Sequence, residues 1–325
     1  MASRVTPEPK STLSCPGNCG SISIQYPFGI GTGCFRSGFE IVCDNATGTP
    51  ALAGTTRPVP VSLLSIKTAE ARVMLPVAWE CFHSSNKVND SSNGDVHFNS
   101  DDVYRISNTH NQLVVIGCNT LGYTQSQRSE GNGYYPYAYY TGCMSFCNNS
   151  GSAADGACAG VGCCRVDIPP GVTDNKMSFG QYSHRERLGY SPCDMAFLVD
   201  KENYTFHTAD LRMDLNRTMP VWLDWAIRDN LTCDEAKKAQ GGYACVSANS
   251  ECHDSTNGTR VRLQLQHGCQ CSDLAVCCVF LPQSGEEQLA ALVIEHDIRR
   301  GHRPCESFRP CPVRVLILWR QPTAW

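Results

Sequence analysis

A mainly β chain built from small, disulfide-rich domains is predicted by three observations. The sequence spends 21 of its 325 residues on cysteine, a usage that a reducing cytosol rarely keeps. Its apolar residues fall in short runs, several with a period of two, separated by Gly, Pro and Asn, the pattern of half-covered strands and tight turns. Residues 15–43 hold four cysteines, six glycines and four aromatic rings, too little chain to bury a core unaided, so crosslinks must hold whatever fold this segment has.

The bulk properties narrow the function classes. Seven Asn-x-Ser/Thr acceptor sequences, at Asn45, Asn89, Asn148, Asn203, Asn216, Asn230 and Asn257, join the cysteines in pointing to secretion. The net charge of −4 excludes a globally basic binder of nucleic acid or other polyanions. Residues 1–100 carry seven Lys/Arg against seven Asp/Glu, so polyanion binding there requires a local patch or a bridging cation such as calcium. Residues 1–14 are polar and read as a disordered lead. They hold no apolar run of signal-peptide length, which suggests a truncated or misassigned start. No stretch reaches the roughly 18 apolar residues of a membrane helix.

The first module is expected over residues 15–80. Ser21 to Tyr26 alternate polar and apolar as a strand, Pro27 ends it, and Gly29, Gly31 and Gly33 mark a tight loop before the run from Phe39 to Cys43. A hairpin stapled by Cys15, Cys19, Cys34 and Cys43 is the simplest arrangement, with three pairings open. Residues 45–60 read as a connector, and residues 61–74 as two strands, the second alternating from Ala69 to Val73.

A second unit is expected over residues 81–200. The run from Gln112 to Cys118 has the character of a buried strand. Tyr134, Tyr135, Tyr137, Tyr139 and Tyr140 form the densest aromatic patch, next to Cys143 and Cys147. Adjacent Cys163 and Cys164 are too constrained to bond each other and should reach two different partners. With Cys81, Cys118, Cys158 and Cys193 they complete twelve cysteines from Cys15 onward, enough for six bridges. Residues 201–259 read as a connector followed, near residues 233–258, by Cys233, Cys245 and Cys252 in the spacing of an incomplete repeat. A helical turn or two is expected from Asp234 to Gln240, stopped by Gly241 and Gly242.

Several of these strings are shared with a known family. CxxxCG, a strand, YPFG, a glycine loop, GC and FxIxC resemble the galacturonan-binding module of the plant wall-associated receptor kinases, and VIGCNTLGY, GCMSFC, GxGCCxVDIPP and CDMAFLVD extend the resemblance to about residues 15–258. The resemblance implies an extracellular, pectin-binding ectodomain, anchored in full-length relatives by a membrane span that this sequence lacks, followed by a partial epidermal-growth-factor-like repeat. The continuation expected of such a repeat stops at Thr259. One codon choice for Thr259 to Gln266, read one base later, encodes Pro-Gly-Tyr-Val-Cys-Asn-Cys, so residues 260–325 read as a non-family, frame-shifted tail. A helix from Glu286 to Arg300 is the one element suggested there.

Candidate ligand-binding residues follow from sugar chemistry. Tyr26, Phe28, Phe35, Tyr135 and Tyr137 offer flat rings for the apolar faces of pyranoses, and Arg36 offers a fork that fits a uronate carboxylate. For Tyr26 and Phe28 the competing role is core packing in a module with little else to bury. Oligogalacturonides are the expected partner; the alternatives are a peptide or co-receptor bound through the tyrosine patch and the partial repeat, or a nonfunctional truncated product. No cofactor is expected, beyond calcium as a bridge to pectate. The Gly29-x-Gly31-x-Gly33 loop lacks the spacing of a dinucleotide fingerprint. Cys269-x-Cys271 beside His267 is a weak zinc pattern, and Asp254 with Asn257 would bind calcium only in a complete repeat. Hydrolase and kinase motifs are missing, Asp101 and Asp102 are an ordinary surface pair, and the chain reads as non-catalytic.

Overall fold

The computed structural model describes residues 15–280, leaving out 85–86, 99–102, 126–138, 185, 214–216, 228–232, 239–249, 255–256, 258–260, 266–268 and 272–277. The tyrosines at 135 and 137, the leader before residue 15 and the suggested helix in the tail lie outside these residues, which all fall in one compact unit.

Antiparallel sheet dominates. A six-stranded sheet runs in the order Ile41–Asp44, Thr49–Leu52, Val59–Ser65, Glu70–Pro76, Thr218–Trp225, Tyr104–Ile106. A five-stranded sheet runs Cys163–Asp167, Asn111–Ile116, Cys193–Asp200, Ala78–Ser84, Lys87–Ser92, and a three-stranded sheet Tyr140–Ser145, Thr120–Gln125, Met177–Phe179. The buried-strand pattern after Gln112 is realised in Asn111–Ile116, whose six residues are all buried between two neighbouring strands. The alternation from Ala69 to Val73 appears as inward Ala71, Val73 and Leu75 on a strand paired with Val59–Ser65. The short helix is present as Cys233–Lys238, and Ser250–Asp254 pairs with Val261–Leu265 on either side of Thr259.

The segments expected at 15–80, 81–200 and 201–259 all contribute strands to the six-stranded sheet. Thr218–Trp225 lies between Glu70–Pro76 and Tyr104–Ile106, in register Val221 with Val73 and Leu223 with Ile106. This arrangement corrects the expectation that the first module is held by crosslinks alone. Phe28 and Phe39, 2% and 1% exposed, insert over the sheet against fully buried Trp225, with ring centroids 5.3 and 5.6 Å from the indole and 5.2 Å from each other, all edge to face. Such contacts add specific attraction to the large apolar area that each ring removes from water. The missing core of a small module is thus supplied by a strand some two hundred residues downstream.

Buried amides tie the layers together. Asn111 donates to the carbonyls of Ser107 and Trp222, both at 2.7 Å, and accepts from the Trp222 amide at 2.9 Å. Asn175 donates to the carbonyls of Pro76 and Gly94 at 3.1 and 2.7 Å. Each closes backbone groups that burial would otherwise leave unsatisfied.

Because Phe28 packs into the common core, Phe28→Ala is expected to lower global stability by about 3–5 kcal/mol. Chemical denaturation followed through tryptophan fluorescence checks this. A main transition that stays put would show that the first module packs by itself.

Candidate functional site

In the N-terminal module the four cysteines pair as Cys15 with Cys34 and Cys19 with Cys43. The glycines of the loop have steric reasons. A Cβ on Gly29 would lie 2.0 Å from the Cys34 carbonyl oxygen, so only glycine lets the loop close on itself where the Ile41 amide bonds the Gly29 carbonyl at 2.9 Å. Gly31 and Gly33 each adopt φ +86° or nearby left-handed geometry, and Tyr26–Pro27 is a cis peptide.

This loop presents Phe35 and Arg36, both half-buried, directly after the bridged Cys34. The Arg36 amide donates to the Pro27 carbonyl at 3.0 Å and its carbonyl accepts from Phe39 at 2.9 Å, so the pair is held on a fixed backbone. Tyr26 is half-buried nearby in sequence. Phe28 is a correction: buried among Phe39 and Trp225, it has no face to offer a sugar. Of the tyrosine patch, Tyr140 is 58% exposed and stacks on Tyr123 at 4.8 Å, while Tyr139 is half-buried.

Four further bridges link Cys81 to Cys193, Cys118 to Cys147, Cys143 to Cys164 and Cys158 to Cys163. The adjacent Cys163 and Cys164 do reach different partners, one local and one on the neighbouring three-stranded sheet. Cys233 is disulfide-bonded as well.

Among the acceptor asparagines, Asn45, Asn89, Asn148 and Asn203 are exposed, whereas Asn216 and Asn230 lie outside the described residues. Asn257 is 1% exposed. Its amide donates to the Ile106 carbonyl at 3.1 Å and to Asp224 at 2.8 Å, and its oxygen accepts from the Gly171 amide at 2.7 Å. With these bonds made, it is a structural clamp and neither a glycan acceptor nor a calcium ligand.

Two polar groupings were not visible in the sequence. The first is a buried cluster in which His184 Nε2 lies 2.9 Å from Asp194 Oδ1, the Thr120 hydroxyl donates to the same oxygen, and Phe82 stacks on the imidazole at 3.8 Å. A nucleophile, base and carboxylate would be chained in that order for hydrolysis. Here hydroxyl and imidazole converge on one carboxylate, and His184 and Asp194 are each only 1% exposed, so the cluster is structural.

The second is an open cleft of about 530 Å³ where the six- and five-stranded sheets meet, lined by Arg72, His110, Asp200, Lys201, Asn203 and Trp222 among others. Asp200 Oδ2 accepts from Arg72 at 3.2 Å, from the Trp222 indole at 3.0 Å and from Asn203 at 2.6 Å. Only folding brings these residues together, since Arg72 and Asp200 are 128 positions apart.

The family model for the wall-associated receptor kinase galacturonan-binding module matches residues 15–75. Wall-associated receptor kinase 2 of Arabidopsis thaliana is 28% identical over 302 residues, covering 90% of this chain and 37% of the relative. Wall-associated receptor kinases 1 and 3 of the same plant are each 30% identical, over 75% and 74% of this chain and 31% and 32% of their own lengths. The chain is a relative of the wall-associated receptor kinases. It spans about a third of the length of these curated relatives, and no solved structure matches. The region matched to the wall-associated receptor kinase module ends within the strand Glu70–Pro76, so its last strand is the one that Thr218–Trp225 joins. Among the described residues, no helix is long and apolar enough to cross a membrane.

Beside the His184 cluster, Glu80 pairs with Asp194 across the strands. Its carboxyl is pushed above the usual 4.5, first by burial and then by the negative charge of Asp194, with His184 opposing. The folded protein therefore binds this proton more tightly than the unfolded chain, and stability is expected to fall as pH rises from 4.5 through the folded value. Glu80→Gln removes that dependence. Denaturation midpoints should show the variant gaining on the wild type as pH rises through this window, and a constant difference would contradict the assignment.

Proposed function

We propose that the chain is the extracellular part of a cell-wall receptor that binds pectic polysaccharide and has no catalytic role of its own. The observation that carries this reading is the match of residues 15–75 to the galacturonan-binding module. The relatives' identity as wall-associated receptor kinases supports the location, and the disulfide-stapled β scaffold suits an oxidising compartment.

In this reading Phe35 stacks on a galacturonate ring while Arg36 shares its guanidinium with the adjacent carboxylate, on a loop that Cys15–Cys34 and Gly29 hold rigid. Each contact is worth on the order of 1 kcal/mol, and affinity accumulates along the polymer by repeated engagement. The near balance of charge over residues 1–100 means that attraction is local, or assisted by calcium bridging between carboxylates.

A second reading, a protein-interaction ectodomain, draws on the exposed Tyr140, Met144 and Phe146 at the edge of the three-stranded sheet. Retention on immobilised polygalacturonate, with and without calcium, separates the two. Arg36→Ala and Phe35→Ala are each expected to weaken retention about five- to tenfold, the ratio that about 1–1.4 kcal/mol represents. Unchanged retention in both variants would move the site elsewhere. A wild-type chain that is never retained would leave the protein-interaction reading.

A further inference from the structure

The cleft below Trp222 has the size of a small-ligand site, since its 530 Å³ or so falls within the roughly 300–1,000 Å³ range of such pockets. Its charges do not favour an outside polyanion. Arg72 is paired with Asp200 at 3.2 Å and Lys201 with Asp167 at 2.9 Å, and Glu202 adds a carboxylate to the lining. What remains is an indole, an imidazole 5.8 Å from it, a threonine hydroxyl and an amide, a lining suited to an uncharged sugar.

A sugar has a covalent route into this cleft. Asn203 stands in the acceptor sequence Asn203-Tyr204-Thr205, is exposed, and lines the cleft. Its side-chain nitrogen and the Trp222 indole nitrogen bond the same oxygen of Asp200, at 2.6 and 3.0 Å, so the attachment atom lies beside the ring. Its backbone amide also bonds the Asp200 carbonyl at 2.9 Å, fixing the turn that aims it. N-glycosylation forms a bond from Nδ2 to the sugar C1, breaks the C1–O bond of a lipid-diphosphate-linked oligosaccharide, and releases one amide proton to the departing diphosphate. The second amide hydrogen stays, so the bond to Asp200 can persist. The other exposed acceptors, Asn45, Asn89 and Asn148, are not among the residues that line the cleft.

We infer that Asn203 carries an N-glycan whose first N-acetylglucosamine units fill this cleft against Trp222, so that the protein's own glycan, and not wall polysaccharide, occupies it. This rests on the extracellular reading above. It also places the uronate contacts at the Phe35–Arg36 loop, away from this cleft.

The test is to secrete the whole chain from a eukaryotic host, map glycans by mass spectrometry, and follow release at each site by peptide-N-glycosidase on native protein. Asn203 is expected to be occupied and released about tenfold more slowly than Asn45, Asn89 and Asn148, a ratio equal to about 1.4 kcal/mol of protection, with the difference vanishing after denaturation. Trp222→Ala should bring the native rate at Asn203 to that of the others. Should that variant not fold, Thr205→Ala, which removes the acceptor and leaves the cleft lining intact, should lower the thermal midpoint more than Ser150→Ala, which removes the acceptor at Asn148. An empty Asn203 beside occupied neighbours, equal release at all sites, or equal midpoints would overturn the inference. If all four sites are empty, the extracellular reading fails first and the inference falls with it.

Discussion

The edge-to-face packing of Phe28 and Phe39 on Trp225 is the contact on which the rest of the structure depends. A module of some sixty residues with two internal bridges has too little apolar content to be rigid alone. By lodging two rings against a strand some two hundred residues downstream, it shares a core with Tyr104, Ile106, Val221 and Leu223. The rigidity of the Phe35–Arg36 loop then follows from a large common interior and from the clips at either side of it, not from the clips alone.

Crosslinks and buried amides divide the remaining work. Cys81–Cys193 closes a separation of 112 residues, where chain-entropy reasoning places the largest constraint on the unfolded ensemble, and the short Cys158–Cys163 link shapes a loop locally. Asn111, Asn175 and Asn257 each join segments distant in sequence by hydrogen bonds that have no solvent to replace them. A disulfide limits how far the unfolded chain can spread, whereas these amides specify register in the folded one, because a slipped strand would strand their donors in an apolar interior.

Much of the fold was legible in the residues. Period-two alternation located Glu70–Pro76, the unbroken apolar run located Asn111–Ile116, and the constraint on adjacent cysteines anticipated that Cys163 and Cys164 diverge. Long-range pairing was not legible. Nothing local in Thr218–Trp225 says that it inserts between Glu70–Pro76 and Tyr104–Ile106, and Phe28, for which core packing competed with sugar stacking, is claimed by that distant strand. Asn257 shows the same limit. Its sequon is a local pattern, but its partners Ile106, Gly171 and Asp224 come from elsewhere in the chain. At the candidate site, Phe35 and Arg36 were legible as a ring and a cation beside a bridged cysteine, while the Asp200 cleft was invisible because its lining converges only in three dimensions.

Native-state hydrogen exchange in rising denaturant tests most directly whether the N-terminal module and the downstream strands of the six-stranded sheet share one interior. If it does, the amides of Ile41, Val73 and Trp225 should open with a common free energy and a common denaturant dependence, since the rings that cover the first belong to the same cluster as the last. Exchange of Ile41 through a separate, lower-energy opening that leaves Val73 and Trp225 protected would contradict the account and return the N-terminal module to independence.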